Sequence, residues 1–129
     1  MGLDNGINVK RHKNQLVNKL LSHTFEYLKY MDEFEVAYFR KCWNIRNLIF
    51  YSIGIPSYDD YEFPVNQKEI KKIIKSLKTL NEDNWEDEGG SIWAFEEIEE
   101  HLKADIGRLK ILYLLMFFLE LEVYFYDSY

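Results

Sequence analysis

Cysteine and proline are scarce in this chain, and their scarcity excludes several classes of protein. Cys42 is the only cysteine, so no disulfide can form within the chain, and a disulfide-stapled secreted fold is excluded. A lone cysteine suits a reducing compartment, and we expect the protein to be cytoplasmic. Both prolines, Pro56 and Pro64, fall in residues 54–66, which we interpret as a linker between two halves of one fold.

Long hydrophobic runs are also missing. The longest run covers residues 111–119, whereas a membrane-spanning helix needs about 20 apolar residues. Polar residues follow Met1, so we expect no signal peptide. We therefore predict no membrane segment, and we expect residues 111–119 to form the centre of the core.

Motifs for catalysis or cofactor binding are absent too. The sequence has no nucleophile elbow, no phosphate-binding loop and no dinucleotide-binding glycine pattern. We expect no cofactor, and an enzyme is the less favoured class. Glu97, His101 and Asp105 share one face of a predicted helix, but such a set is typical of salt bridges, and we expect no metal. Cys42 falls on an apolar stripe and is interpreted as a small buried hydrophobe.

The residues that are present predict a well-packed domain. The chain has 129 residues, 47% of them hydrophobic and 17% aromatic, which suffices for one domain over residues 1–129 with its own core. The formal net charge of −6 disfavours binding to nucleic acid. The composition leaves open whether the chain forms a homo-oligomer.

The periodicity of apolar residues predicts an α+β fold that is predominantly helical, with three or four helices and a minor β-sheet. The sheet would join an N-terminal strand at residues 6–11 to the C-terminal tail, where strand-forming residues alternate. We predict helices at residues 14–30, 34–50, 66–80 and from residue 91 to the apolar run. Asn66 and Glu69 have the spacing of a capping box at the start of the third helix.

The segment 34–50 contains polar residues within an apolar pattern. Helical spacing places Arg40, Asn44 and Asn47 on one face, with Lys41 beside it, which is typical of a solvated strip. Arg46 instead falls in line with aromatic residues, so it must extend to solvent, stack on a ring or pair with a carboxylate. The same residues are also a candidate binding site.

A second candidate site lies in the acidic stretch 82–100, which contains no lysine or arginine. We expect Trp85, Glu86, Asp87 and Glu88 to form a surface that meets a basic partner, with Trp85 as its anchor. The alternative is a solvated loop whose Trp85 folds back on the core.

Two short stretches resemble a family of small uncharacterised proteins from bacteria and their phages. Members open with Met-Gly-Leu-Asp and carry a Glu-Val-x-Tyr-Trp-Arg-Lys stretch. The matching residues here are Gly2, Leu3, Asp4, Glu35, Val36, Tyr38, Arg40, Lys41 and Ile45. The chain departs from the family at Asn5-Gly6, where Met-Tyr is usual, and at Phe39, which replaces the tryptophan. Arg46 stands where the family often has histidine.

The resemblance implies a phage or prophage origin and supplies no activity. If its polar residues recur together, an Asp4–Arg40 or Glu35–Arg40 pair would tie the first strand to the helix. The sequence leaves two functions open. The favoured one is a cytoplasmic, non-enzymatic interaction module acting on a host or phage protein. The alternative is a small ligand-binding domain or enzyme with a polar pocket around Arg40, Asn44, Arg46 and the Asp59-Asp60 loop.

Overall fold

The computed structural model describes residues 4–54, 62–85 and 93–128 of the chain. Within these ranges the protein is an antiparallel five-stranded sheet with four helices. The strands are β1 (Asp4–Lys10), β2 (Glu26–Leu28), β3 (Glu33–Arg40), β4 (Glu62–Pro64) and β5 (Val123–Ser128). The helices are α1 (Gln15–Thr24), α2 (Trp43–Ile53), α3 (Gln67–Leu77) and α4 (Phe95–Leu115).

The prediction of a predominantly helical fold with a minor sheet is wrong. Helices take up 48% and strands 25% of the described residues, so the fold is a mixed α+β fold. The main error lies in residues 34–50, which form one strand and one helix rather than a single helix. Glu33–Arg40 alternates between buried and half-exposed residues as a strand does, and the helix begins only at Trp43. Glu26–Leu28 likewise forms a strand, although we placed it inside the first helix.

Strand β1 is the centre of the sheet, whose order is β2-β3-β1-β5-β4. The predicted pairing of the N-terminal strand with the C-terminal tail is confirmed, because β1 runs antiparallel to β5 with Ile7 opposite Phe125. Successive residues of β1 point to opposite faces. One face carries Asn5, Ile7 and Val9. It packs against the helices, as the edge-on contact of Phe50 in α2 with Phe125 shows, with ring centres 5.4 Å apart.

Helix α3 forms as its sequence predicts. The Asn66 side chain accepts a hydrogen bond from the Glu69 amide, and the Glu69 carboxylate accepts one from the Asn66 amide, so the capping box is confirmed. The apolar stripe through Ile70, Ile73 and Leu77 is fully buried. Since the opposite side of α3 carries lysines, burial of this stripe sets the orientation of the helix on the core.

Helix α4 buries Ile98, Leu102, Leu109 and Leu112. The expectation that residues 111–119 form the centre of the core is wrong. Helix α4 ends at Leu115, a turn follows, and Phe118 is 84% exposed. No helix within the described ranges combines the length and apolar character needed to cross a membrane.

Candidate functional site

Arg46 is buried and belongs to the core. Its side chain stacks on Phe50, with the guanidinium carbon 4.6 Å from the ring centre, and its Nε donates to Asp127 Oδ1 at 2.8 Å. The arginine is 4% exposed and the aspartate 3% exposed. Both stacking on a ring and pairing with a carboxylate are therefore confirmed. Asn5 lies opposite Asp127 in the sheet, and its side-chain amide has no hydrogen-bond partner among the described residues.

A hydrogen bond between Asn44 and Trp85 links helix α2 to the chain that precedes α4. Asn44 is fully buried, and its Nδ2 donates to the Trp85 carbonyl at 2.6 Å. The Trp85 ring packs edge-on against Phe95 and is 2% exposed. Its Nε1 donates to the Trp93 carbonyl at 2.7 Å. The interpretation of Trp85 as an exposed anchor is wrong, because the ring folds back on the core.

Arg40 and Lys41 lie at the end of β3, apart from Asn44 and Arg46. Arg40 is exposed, and Lys41 has a left-handed backbone with a φ of 54°. Arg40 does lie opposite Asp4 in the sheet. Asp4, however, accepts its hydrogen bond from the Tyr38 hydroxyl at 3.0 Å, and no Arg40–carboxylate pair forms among the residues described. The proposed partly buried pair of Arg40 is therefore wrong.

Trp93 and two side chains of helix α4 donate hydrogen bonds to the free edge of β3. On this edge β3 pairs with β2 only over Glu33–Glu35, and the rest of the strand presents three outward carbonyls. Trp93 Nε1 donates to the Arg40 carbonyl at 2.9 Å, His101 Nε2 to Tyr38 at 2.8 Å, and Arg108 Nε to Val36 at 2.8 Å. An uncovered strand edge is a template for aggregation, so these donors protect the sheet.

Beneath this edge lies the carboxylate of Asp105. It pairs with His101 at 3.0 Å and with Arg108. Burial raises the pKa of the Asp105 carboxyl to about 6, although His101 and Arg108 both act to lower it. Of the Glu97–His101–Asp105 line, His101 and Asp105 thus belong to the network that caps the strand edge, whereas the Glu97 carboxylate accepts a hydrogen bond from the Ala94 amide at the start of α4. Within the described part of the chain, no three His, Cys, Asp or Glu side chains are grouped so as to hold a metal ion.

The end of α4 and the turn that follows it expose hydrophobic side chains in a way that the sequence did not reveal. Ile111, Leu114, Phe117 and Phe118 are 42%, 57%, 59% and 84% exposed. We call these four residues the α4 apolar patch. Large apolar side chains that are exposed together mark binding surfaces far more often than those exposed singly.

Beside the patch lies a groove of about 640 Å³, which we call the α4–β5 groove. Its apolar lining is Val65, Met116, Leu119, Leu121, Val123 and Tyr124. Its charged lining is Glu62, Glu69, Glu120, Glu122 and Lys10. None of the four carboxylates is ion-paired with another described residue, so the groove combines an apolar floor with a negative rim.

The residues proposed from sequence do not meet in one pocket. Asn44 and Arg46 are buried, whereas Arg40 lines a separate cleft of about 240 Å³ with Tyr38, Trp93 and His101. Glu86, Asp87, Glu88 and the Asp59-Asp60 loop lie outside the described residues.

No protein family, curated protein or solved structure matches this chain. The phage-type resemblance therefore stays a prediction.

Proposed function

We propose that this protein is a non-enzymatic interaction module that docks a partner protein on the α4 apolar patch and in the α4–β5 groove. The observation that carries the proposal is the exposure of Ile111 and Leu114 at the end of α4 together with Phe117 and Phe118 in the turn that follows. Fully burying one such side chain is worth about 1.5–3 kcal/mol. A partner that covers the patch therefore removes a substantial unfavourable contact with water.

The charge of the groove favours a partner segment that combines apolar side chains with lysine or arginine. Four carboxylates and one ammonium group line the groove. Lys10 also lines a second groove with Arg11, Lys13, Glu120 and Glu122, so those two glutamates share that groove with cationic groups. We therefore expect the basic groups of the partner to lie toward Glu62 and Glu69.

The cellular setting of the proposal rests on two features of the sequence. Cys42 is a buried thiol, which is consistent with a reducing cytoplasm. The resemblance to small phage-type proteins suggests a phage or prophage accessory factor whose partner is a host or phage protein. The polar-pocket alternative has less support, because its described residues Arg40, Asn44 and Arg46 do not converge.

Selection from a displayed library of random peptides tests the proposal. We expect the enriched peptides to combine aromatic or aliphatic residues with lysine or arginine. Their affinity should fall about tenfold or more for Phe118→Ser, since the loss of a well-covered aromatic residue removes a dominant contact. Tyr51→Ser is the matched control, because Tyr51 is 87% exposed and lies on α2. It should leave the affinity unchanged.

Two outcomes contradict the proposal. The first is that Phe118→Ser and Tyr51→Ser have equal effects, which would place the binding surface elsewhere. The second concerns sedimentation velocity, which reports self-association. If the parent is a dimer that Phe118→Ser converts to a monomer, a second copy of the chain covers the patch and no separate partner is needed.

A further inference from the structure

A second groove, of about 500 Å³, runs between the end of α3 and the side of α4, and we call it the α3–α4 groove. On α4 its lining extends from Phe95 to Lys110, which is about four turns of helix. Its volume lies within the range of about 300–1,000 Å³ that is usual for small-molecule sites. The apolar floor consists of Leu77, Leu80, Phe95, Leu102 and Ile106.

The floor of the groove is open at Gly107. A glycine inside a helix is destabilising relative to alanine, because it loses more conformational freedom on folding. A Cβ added to Gly107 would meet no heavy atom within 4 Å, so no close contact with a described neighbour requires the glycine. The absent side chain instead leaves space along the groove.

Two ammonium groups meet at one end of the groove. Lys78, just after α3, and Lys110, the last lining residue of α4, are close enough to interact directly. The hydrogen-bonding contact with Lys110, followed by the repulsion between the two charges, lowers the pKa of Lys78. Within the described ranges neither lysine forms an ion pair, whereas Lys103 pairs with Glu99 at 3.3 Å. The apolar floor therefore ends at two like charges that have no counter-charge.

An anion with a hydrocarbon tail matches this arrangement. A carboxylate placed between Lys78 and Lys110 can accept a charge-assisted hydrogen bond from each ammonium group and offset their repulsion. The tail would cover the apolar floor. A polypeptide segment fits less well, because its backbone N–H and C=O groups would lose water against side chains that offer them no hydrogen bonds.

We propose that the α3–α4 groove binds a fatty-acid-like carboxylate, with its head group between Lys78 and Lys110 and its hydrocarbon chain over Gly107 along α4. This site goes beyond the docking of a partner protein. It shares no lining residue with the α4–β5 groove or the α4 apolar patch. Either proposal can therefore fail without the other.

Solution NMR of the leucine and isoleucine methyl groups tests this site with sodium octanoate as the probe. We expect saturable shifts of Leu80 and Ile106, and none of Leu16, which is exposed on α1. Octanol is the neutral control and should bind at least tenfold more weakly, because it lacks the charged head. Butyrate should also bind at least tenfold more weakly, since each buried CH₂ contributes up to about fourfold in affinity. Sodium chloride keeps the ionic strength constant throughout.

Four variants locate the ligand. Lys110→Gln should weaken octanoate binding about tenfold or more, because a charge-assisted hydrogen bond is lost. Lys72→Gln, at an exposed lysine of α3 outside the groove, is the matched control and should change nothing. Gly107→Leu should also weaken binding at least tenfold, since its side chain takes up space in the groove. It should leave α4 folded, because leucine is the better helix former. Phe118→Ser should leave octanoate binding unchanged.

Several results would overturn the proposal. Equal affinity for octanol would show that the charged head is not recognised, and equal affinity for butyrate would show that the chain is not. Full affinity in both Lys110→Gln and Gly107→Leu would place the ligand elsewhere. Loss of binding in Phe118→Ser would place it on the α4 apolar patch. The absence of saturable shifts with octanoate would contradict the site altogether.

Discussion

The buried pair of Arg46 and Asp127 makes a quantitative prediction about stability. Asp127→Ala removes the carboxylate but leaves the guanidinium in place, with the arginine only 4% exposed. Breaking a buried ion pair in this way costs about 3–5 kcal/mol. The stacking of Arg46 on Phe50 at 4.6 Å persists and favours the lower end of that range. We therefore expect a loss of about 3 kcal/mol.

Thermal unfolding followed by circular dichroism measures this loss. For a chain of 129 residues, with an unfolding entropy of about 2.1 cal/mol/K per residue, a loss of about 3 kcal/mol lowers Tm by about 10 °C. Arg40→Ala is the matched control. Arg40 is exposed, so this change should cost no more than about 0.5 kcal/mol. The sequence prediction of a partly buried Arg40 pair instead implied a loss well above that value for Arg40→Ala.

A double variant separates the loss of the pair from the loss of packing. Arg46→Met combined with Asp127→Leu removes both charges and keeps apolar volume, and such replacements are often neutral or stabilising. We expect it to melt well above Asp127→Ala. If Asp127→Ala instead melts within about 2 °C of Arg40→Ala, water reaches the guanidinium, and the assignment of the pair to the core is wrong.

Three further changes test other parts of the structure. Trp85→Ala should lower the free energy of unfolding in urea by about 3–5 kcal/mol, because the ring is 2% exposed. A loss below about 0.5 kcal/mol would show that the Trp85 ring is not packed in the core. Leu112→Ala should cost about 2–5 kcal/mol and Leu114→Ala no more than about 0.5 kcal/mol, since the first is fully buried and the second 57% exposed; equal costs would contradict this orientation of α4. Asp105 has a pKa near 6 when folded against a usual value of 3.8, so its contribution is fully present below about pH 4 and is lost as pH rises through 6. The stability of the parent relative to Asp105→Asn should therefore fall over that window, and parallel unfolding profiles from pH 4 to 7 would refute the assignment.

The sequence predicted those elements whose signals are local. Asn66 and Glu69 are three residues apart and form the capping box directly, and the stripe through Ile70 and Leu77 lies within one helix. The strand character of β1 and β5 could likewise be read from their composition. The buried pair of Arg46 and Asp127 was predicted only in part. The aromatic surroundings of Arg46 showed that it needed a partner, but nothing in the chain pointed to Asp127, which is 81 residues away.

Strand β3 was missed because a helical period and a strand period of apolar residues overlap in the same residues. Phe39, Trp43 and Phe50 fit a helical stripe, which extended the predicted helix back through β3. The alternation of Glu33, Phe34 and Glu35 was the signal for a strand, and it was outweighed by the longer helical pattern. The exposure of Phe118 could not be predicted at all, because hydrophobic composition alone does not distinguish a buried helix end from a docking surface.

Hydrogen exchange of backbone amides tests most directly whether the exposed end of α4 is a docking surface. The measurement compares the free protein with the protein saturated by a peptide selected as described above. We expect exchange to slow in residues 111–123, which include the patch and one wall of the groove, and to stay unchanged in α1. Phe118→Ser should abolish the slowing at the same peptide concentration. Slowed exchange confined to α1 or to other residues remote from 111–123 would contradict the proposed function.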